Sequence, residues 1–172
     1  KKRGNSTYLV GEVVPMLPHS LSSGLCSLVE GEERLTKCVL FRFDKNGQIL
    51  KSEIIESVIR SDKRLTYEQA ILFLESKSVD EIKAAKPPPS RYSGNPGKSL
   101  DSLSNEFLSE IGTSIRKLWD FASKLRKSRF DKGALNLDSG DIKILVDEKG
   151  EPEQVLQTEK DESHQLVEEL ML

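Results

Sequence analysis

Val13-Val-Pro-Met-Leu-Pro-His-Ser-Leu-Ser-Ser-Gly-Leu-Cys-Ser-Leu28, together with Asn5-Ser-Thr-Tyr8 just before it, is the stretch around which the chain is organised. Pro15 and Pro18 bar a helix interior and deny a central strand its backbone donors. Apolar residues nevertheless fill Val13, Val14, Met16, Leu17, Leu21, Leu25, Cys26 and Leu28. This content predicts an irregular, mostly buried ribbon rather than a solvated linker. Irregular backbone inside a domain often lines a site. The competing reading is a proline-stiffened core loop with no chemistry of its own.

Outward from the ribbon, Thr7–Val10 has the character of a short strand stopped by Gly11. Thr36–Asp44 alternates, with Cys38, Leu40 and Arg42 facing one way and Val39, Phe41 and Phe43 the other. Asp44-Lys-Asn-Gly47 is a turn sequence in which Asn46-Gly47 is expected to supply the positive φ angles of a tight hairpin. Gln48–Ile59 then returns as a long strand. Thr66 is placed as an N-cap with Gln69 three residues on, the spacing of a capping box. Ala70, Ile71, Phe73 and Leu74 are the expected buried stripe of that helix. Residues 86–99, rich in proline, glycine and serine, read as a mobile loop with polyproline II character around Pro87–Pro89.

The longest helix is expected from Asp101 to about Phe130, with Leu103, Phe107, Ile111, Ile115, Leu118, Ala122 and Leu125 recurring on one face. Arg116, Lys117, Lys124, Arg126, Lys127 and Arg129 lie on the other. They read as a solvated face suited to the negative end of the helix dipole, with phosphate binding as the alternative. Trp119 is expected as a packing anchor and Gly133 as the C-cap. Ala134–Leu137 and Asp141–Asp147 read as strands. A last helix starts near Asp161 with Leu166, Val167, Leu170 and Met171 as its apolar stripe. The fold class is therefore α+β: antiparallel hairpins packed against a long amphipathic helix.

The 172 residues carry a net charge of −2, so no global basic field draws the chain to nucleic acid. Cys26 and Cys38 stand alone in apolar runs and read as small core residues in a reducing compartment. No run approaches a membrane span and no leader pattern opens the chain, so a cytoplasmic protein with no membrane partner is expected. Two-metal phosphodiester chemistry needs several carboxylates on one rigid turn. Asp138-Ser-Gly-Asp141 is the nearest approach and is better explained as a turn between strands. His19 and His164 are too few and too separated for a metal site or a nucleophile–base pair. The residues alone thus point to no catalytic group and no metal ligand.

Met16-Leu-Pro18, Leu21-Ser-Ser-Gly-Leu-Cys-Ser-Leu28, Arg34-Leu-Thr36 and Arg64-Leu-Thr-Tyr67, in that order, resemble the catalytic RNB domain of the ribonuclease II / ribonuclease R family. The likeness runs from Arg3 to His164-Gln-Leu-Val-Glu-Glu-Leu-Met-Leu172. The resemblance implies a partial RNB domain over residues 1–172, set within a larger barrel-like domain. Its parent would be a processive 3′→5′ exoribonuclease that hydrolyses single-stranded RNA to nucleoside monophosphates with Mg2+. It also implies that the metal-binding aspartates lie upstream of Arg3-Gly-Asn-Ser-Thr-Tyr8, so the isolated chain is expected to be inactive.

By the same resemblance, Tyr8 matches the position whose ring clamps the 3′-terminal nucleotide. Tyr67 and Glu169 match positions associated with ribose contacts. A ring face stacks on any base, and a carboxylate accepting from a 2′-hydroxyl separates RNA from DNA. Without the resemblance, Tyr67 reads as a half-buried aromatic at a helix start and Glu169 as a solvated glutamate. Leu137, in Gly133-Ala-Leu-Asn-Leu137, stands where bacterial relatives carry a phenylalanine that caps the base stack. Leucine can close a hydrophobic wall but stacks poorly. Two other readings compete: a non-catalytic RNA-binding protein on the same domain, and an unrelated α+β scaffold that meets partners through residues 87–97. An incomplete domain is also expected to expose apolar faces and to self-associate.

Overall fold

The computed structural model describes residues 3–9, 12–85, 98–136, 141–146, 152–158 and 160–171. They fall into two units, Lys1–Ser27 with Leu137–Lys160 and Leu28–Asn136 with Asp161–Leu172. The loop expected over 86–99 lies outside the described residues except for Lys98 and Ser99, and Leu137 lies outside them altogether.

In the first unit, β1 (Thr7–Leu9) and β2 (Glu12–Val14) form a short antiparallel ribbon with Tyr8 opposite Val13. Two bonds hold the chain that leaves it. The Met16 amide donates to Ser6 Oγ at 3.0 Å, and Arg3 Nη1 donates to the Pro15 carbonyl at 3.1 Å. Ser20–Leu25 then makes one wide helical turn, closed by the Cys26 amide on the Leu21 carbonyl at 2.9 Å. Pro18 forbids a helix that runs through it, but its own carbonyl accepts the Leu21 and Ser22 amides and so starts this turn. The expected mostly buried ribbon is corrected here. Val13–Leu17 are half-buried, whereas Leu21, Leu25, Cys26 and Leu28 are exposed. A helical turn points successive side chains around its axis, so an apolar run cannot all face one core. The unit also holds β5 (Asp141–Val146) and β6 (Pro152–Thr158), an antiparallel hairpin with Ile144 opposite Val155.

The second unit opens with β3 (Glu33–Phe43) and β4 (Ile49–Arg60), a long ribbon with Cys38 opposite Ile55. At its turn the Asp44 carboxylate accepts the Asn46 and Gln48 amides, each at 2.8 Å. Of Asn46 and Gly47 only the glycine takes positive φ, at 82°. The turn is therefore a wider Asp-pinned loop, with a register shift at Arg42/Phe43, rather than the two-residue hairpin the sequence suggests. Among the described residues each ribbon is a two-stranded sheet of its own, and these residues close no barrel.

The helices carry the core. They are α1 (Tyr67–Leu74), α2 (Val79–Ala84), α3 (Asn105–Asp131) and α4 (Glu162–Met171). Phe73, Ile82, Leu100, Leu108, Ile115, Ala122 and Leu166 are buried together. Thr66 caps α1 in the expected capping box, and Gly133 (φ 93°) follows α3 as expected. Three expectations are corrected. α3 starts at Asn105 because Ser104 Oγ accepts the Phe107 amide, and Leu100–Ser102 is a separate short turn that buries Leu100. Its inner line is Leu108, Gly112, Ile115 and Ala122, with Leu118 turned out. Gly112 is what allows this, since a Cβ there would sit 3.2 Å from the Phe73 ring of α1. Finally, Ala134–Asn136 form no strand.

Candidate nucleic-acid interface

Tyr67 is the first residue of α1, and the chain entering it is held unusually well. The side chain of Glu30 is withdrawn from water and accepts from Lys63 Nζ at 3.0 Å, the Arg64 amide at 2.9 Å and the Lys98 amide at 3.1 Å. Lys63 Nζ also donates to the Lys98 carbonyl. Burial alone would raise the Glu30 pKa, but these bonds and the Lys63 charge hold it below the ordinary carboxylate value. No local pattern in the sequence marks this pair: Lys63 and Glu30, far apart along the chain, are brought side by side where Glu30 bridges to Ser61 beside the β3–β4 ribbon.

The Tyr67 side chain is 42% exposed and lies on the imidazole of His164, with ring centroids 3.9 Å apart and planes 18° from parallel. His164 Nδ1 is 2.7 Å from Asp161 Oδ1. The same oxygen accepts the Ser163 amide at 2.9 Å and Ser163 Oγ at 2.6 Å. Burial pushes the Asp161 carboxyl up, and the bonds from Ser163 and His164 outweigh it, so its pKa is lowered. Beside Tyr67 opens a cavity of about 500 Å³ lined by Leu65, Ala70, Ile115, Leu166 and Val167, with Arg64 at its polar side. An aromatic face next to an apolar cavity can hold a planar, uncharged group such as a base.

Glu169 is 6% exposed and turned inward, against the expectation of a solvated glutamate beside an apolar stripe. The inward line of α4 is Ser163, Leu166 and Glu169, while Val167, Leu170 and Met171 face out. Arg126 Nη1 donates to Glu169 Oε1 at 3.1 Å, Arg129 Nε to Oε2 at 3.3 Å, and Arg129 Nη2 to Oε1. Burial raises the Glu169 pKa and the two arginines more than offset it. Arg116 Nη1 donates to the Phe73 carbonyl at 3.1 Å. The solvated-face reading therefore holds for Lys117, Lys124 and Lys127 and, by exposure, for Arg116, which nevertheless bonds the Phe73 carbonyl; it fails for Arg126 and Arg129, which are half-buried partners of Glu169.

His164 and Glu169 are five residues apart on one helix, so roughly 7.5 Å along the axis and about 140° around it. Tyr67 on one and the α3 arginines on the other thus take opposite sides of α4. Tyr8 belongs to the other unit, where its ring is 78% exposed. Cys38 lies half-buried on β3, its thiol pulled below its usual pKa by the Ser57 and Thr36 hydroxyls. Cys26 is exposed rather than a core residue. Among the described residues no three of His, Cys, Asp and Glu are grouped to hold a metal ion.

The RNB domain model matches residues 1–172. A ribonuclease R of Thermotoga maritima is 34% identical over 172 residues, covering 99% of this chain and 21% of that protein. A DIS3-like exonuclease 2 of Schizosaccharomyces pombe is 34% identical over 171 residues, covering 99% of this chain and 17% of that protein. Among solved structures, Mycoplasma genitalium RNase R in complex with ribose-methylated single-stranded RNA superposes with a TM-score of 0.73 at 25% identity. It covers 97% of this chain and 22% of that one. The same enzyme with double-stranded RNA gives a TM-score of 0.74 at 25% identity, over 97% of this chain and 25% of that one. The chain thus spans about a fifth of the length of these relatives.

Proposed function

The chain belongs to the RNB domain family, and on that premise we propose that it forms part of the RNA path of a ribonuclease R-like 3′→5′ exoribonuclease. The whole protein would hydrolyse single-stranded RNA processively to nucleoside monophosphates. The observation that carries this reading is the half-exposed Tyr67 ring at the edge of an apolar cavity. By the resemblance this ring meets the ribose side of the strand, which every ribonucleotide offers alike, and that suits a strand that moves without regard to sequence. Tyr8, Tyr67, Glu169 and Leu137 are the residues assigned to the strand. Glu169, held by Arg126 and Arg129, is assigned the carboxylate role by which RNA is told from DNA.

Magnesium, which supplies water activation and leaving-group stabilisation in such chemistry, is assigned to carboxylates outside this chain. No described helix is long and apolar enough to cross a membrane. We place the protein in the cytoplasm, where Cys26 and Cys38 stay reduced. The test is release of mononucleotides from 3′-labelled RNA with magnesium. The full-length protein that contains this chain is expected to release them, and the isolated 172-residue chain is not. Turnover by the isolated chain would sink the assignment of the metals elsewhere. RNA binding without turnover by the full-length protein would favour a non-catalytic member.

A further inference from the structure

We propose that His164 is a positioning residue that turns Tyr67 into a platform with one usable face. The inference rests on the reading that Tyr67 meets the RNA strand, and it names the device that prepares Tyr67 to do so. A half-exposed tyrosine at a helix start would ordinarily sample several rotamers, and a ligand that stacks on it must freeze that freedom. Here the backbone of Tyr67 is set by the Thr66–Gln69 capping box and, just upstream, by Glu30 on the Arg64 amide. The side chain is set from the other direction. The imidazole of His164 stacks on it with ring centroids 3.9 Å apart and planes 18° from parallel, so that it occupies one face of the tyrosine.

His164 is itself fixed. Its Nδ1 bonds Asp161 Oδ1, and that oxygen is held by the Ser163 amide and hydroxyl, with Ser163 buried. Each rotor in the series Asp161, His164, Tyr67 thus loses its freedom to a partner already in place. The ordering is finished before a strand arrives. With one face against His164, Tyr67 meets the strand only through its other face and its hydroxyl, so it presents one fixed surface to the sugar of one nucleotide at a time. That suits a strand that must slide.

The experiment measures the affinity of the full-length protein for a uridine oligonucleotide and for its deoxy counterpart, by fluorescence anisotropy in EDTA. Five proteins are compared: wild type, Tyr67→Ala, His164→Ala, His164→Asn and His164→Phe. Loss of one aromatic stack corresponds to roughly a two- to tenfold weakening. His164→Ala and His164→Asn are expected to weaken RNA binding by that factor, although asparagine can still bond Asp161. His164→Phe, which restores a ring without that bond, is expected to recover most of it. A role confined to folding would not give this order, because asparagine would then serve at least as well as phenylalanine. Unchanged affinity in His164→Ala, with Tyr67→Ala weakened, overturns the proposal alone. Unchanged affinity in Tyr67→Ala overturns the reading beneath it as well.

Discussion

Gly47 lies directly against Leu125: a Cβ on the glycine would fall 2.8 Å from Leu125 Cδ2, and its φ of 82° is one that side-chain-bearing residues avoid. Phe43 on the same hairpin meets Phe121, four residues earlier on α3, with ring centroids 4.7 Å apart. The β3–β4 ribbon is thus seated on α3 by its turn, through two contacts one helical turn apart. Gly47→Ala is expected to destabilise the chain by about 1–2 kcal/mol, from strain at positive φ plus the displaced leucine. Urea denaturation checks it. A change within about 0.5 kcal/mol would mean that the turn lifts off without penalty.

The turn also shows what the sequence could tell and what it could not. Asn46-Gly47, Thr66-x-x-Gln69 and Gly133 are local signals whose physics is complete within a few residues, and the hairpin, the α1 cap and the α3 terminus follow from them. Asp44 was the exception, since its side chain rather than Asn46 sets the turn. The buried line of α3 was offset because Gly112 carries no hydrophobic signal, although its lack of a Cβ is what admits Phe73. Glu169 and His164 were unreadable for a related reason. A charged or polar residue on an amphipathic helix looks solvated until a partner distant in sequence supplies its countercharge or its stacking face.

Glu30 and Lys63 are almost fully withdrawn from water, at 6% and 3% side-chain exposure. Removing one charge strands the other, so Glu30→Ala should reduce stability by about 3 kcal/mol, and Lys63→Ala by a similar amount. The paired change Glu30→Leu with Lys63→Met should be milder than either single change, because no unpaired charge is left. Equilibrium unfolding of all three gives the answer. If the double variant loses as much as the two singles added together, the charges are not coupled.

Acid should weaken the fold in a defined window. Glu30, Asp161 and Glu169 all have folded-state pKa values below their ordinary ones, with burial opposing the shift and hydrogen bonds overcoming it. The unfolded chain therefore takes up protons first as the pH falls. The stability these groups supply is fully present above about pH 4.5 and is lost as the pH drops through the folded values. Unfolding free energy should be nearly flat from about pH 7 to 5 and fall below that. Glu169→Gln should flatten the fall, at the expense of stability near neutrality. An acid slope that Glu30→Gln and Glu169→Gln together leave unchanged would assign the effect elsewhere.

The isolated chain should self-associate through the β3–β4 ribbon. Leu35, Val39, Phe41, Ile54 and Val58 lie on one face by the register, in which Leu35 opposes Val58 and Val39 opposes Ile54. Each is more than half exposed, and Leu35 reaches 89%. The opposite face adds Leu40 and Ile55, and both edges of the two-stranded ribbon are unpaired within the described residues. Lys37 and Glu56 pair across the middle of this face, but so many exposed apolar side chains on one side of a ribbon are seldom left bare in a monomer, and free strand edges invite further pairing. Light scattering coupled to size exclusion should give a mass that rises with concentration. Leu35→Lys with Ile54→Lys should return it toward the 19.3 kDa of one chain. Both substitutions sit on exposed positions, so the helical core around Phe73 and Leu108 should melt as before. A monomer at every concentration, with or without the lysines, would show that the ribbon's apolar face is tolerated by water.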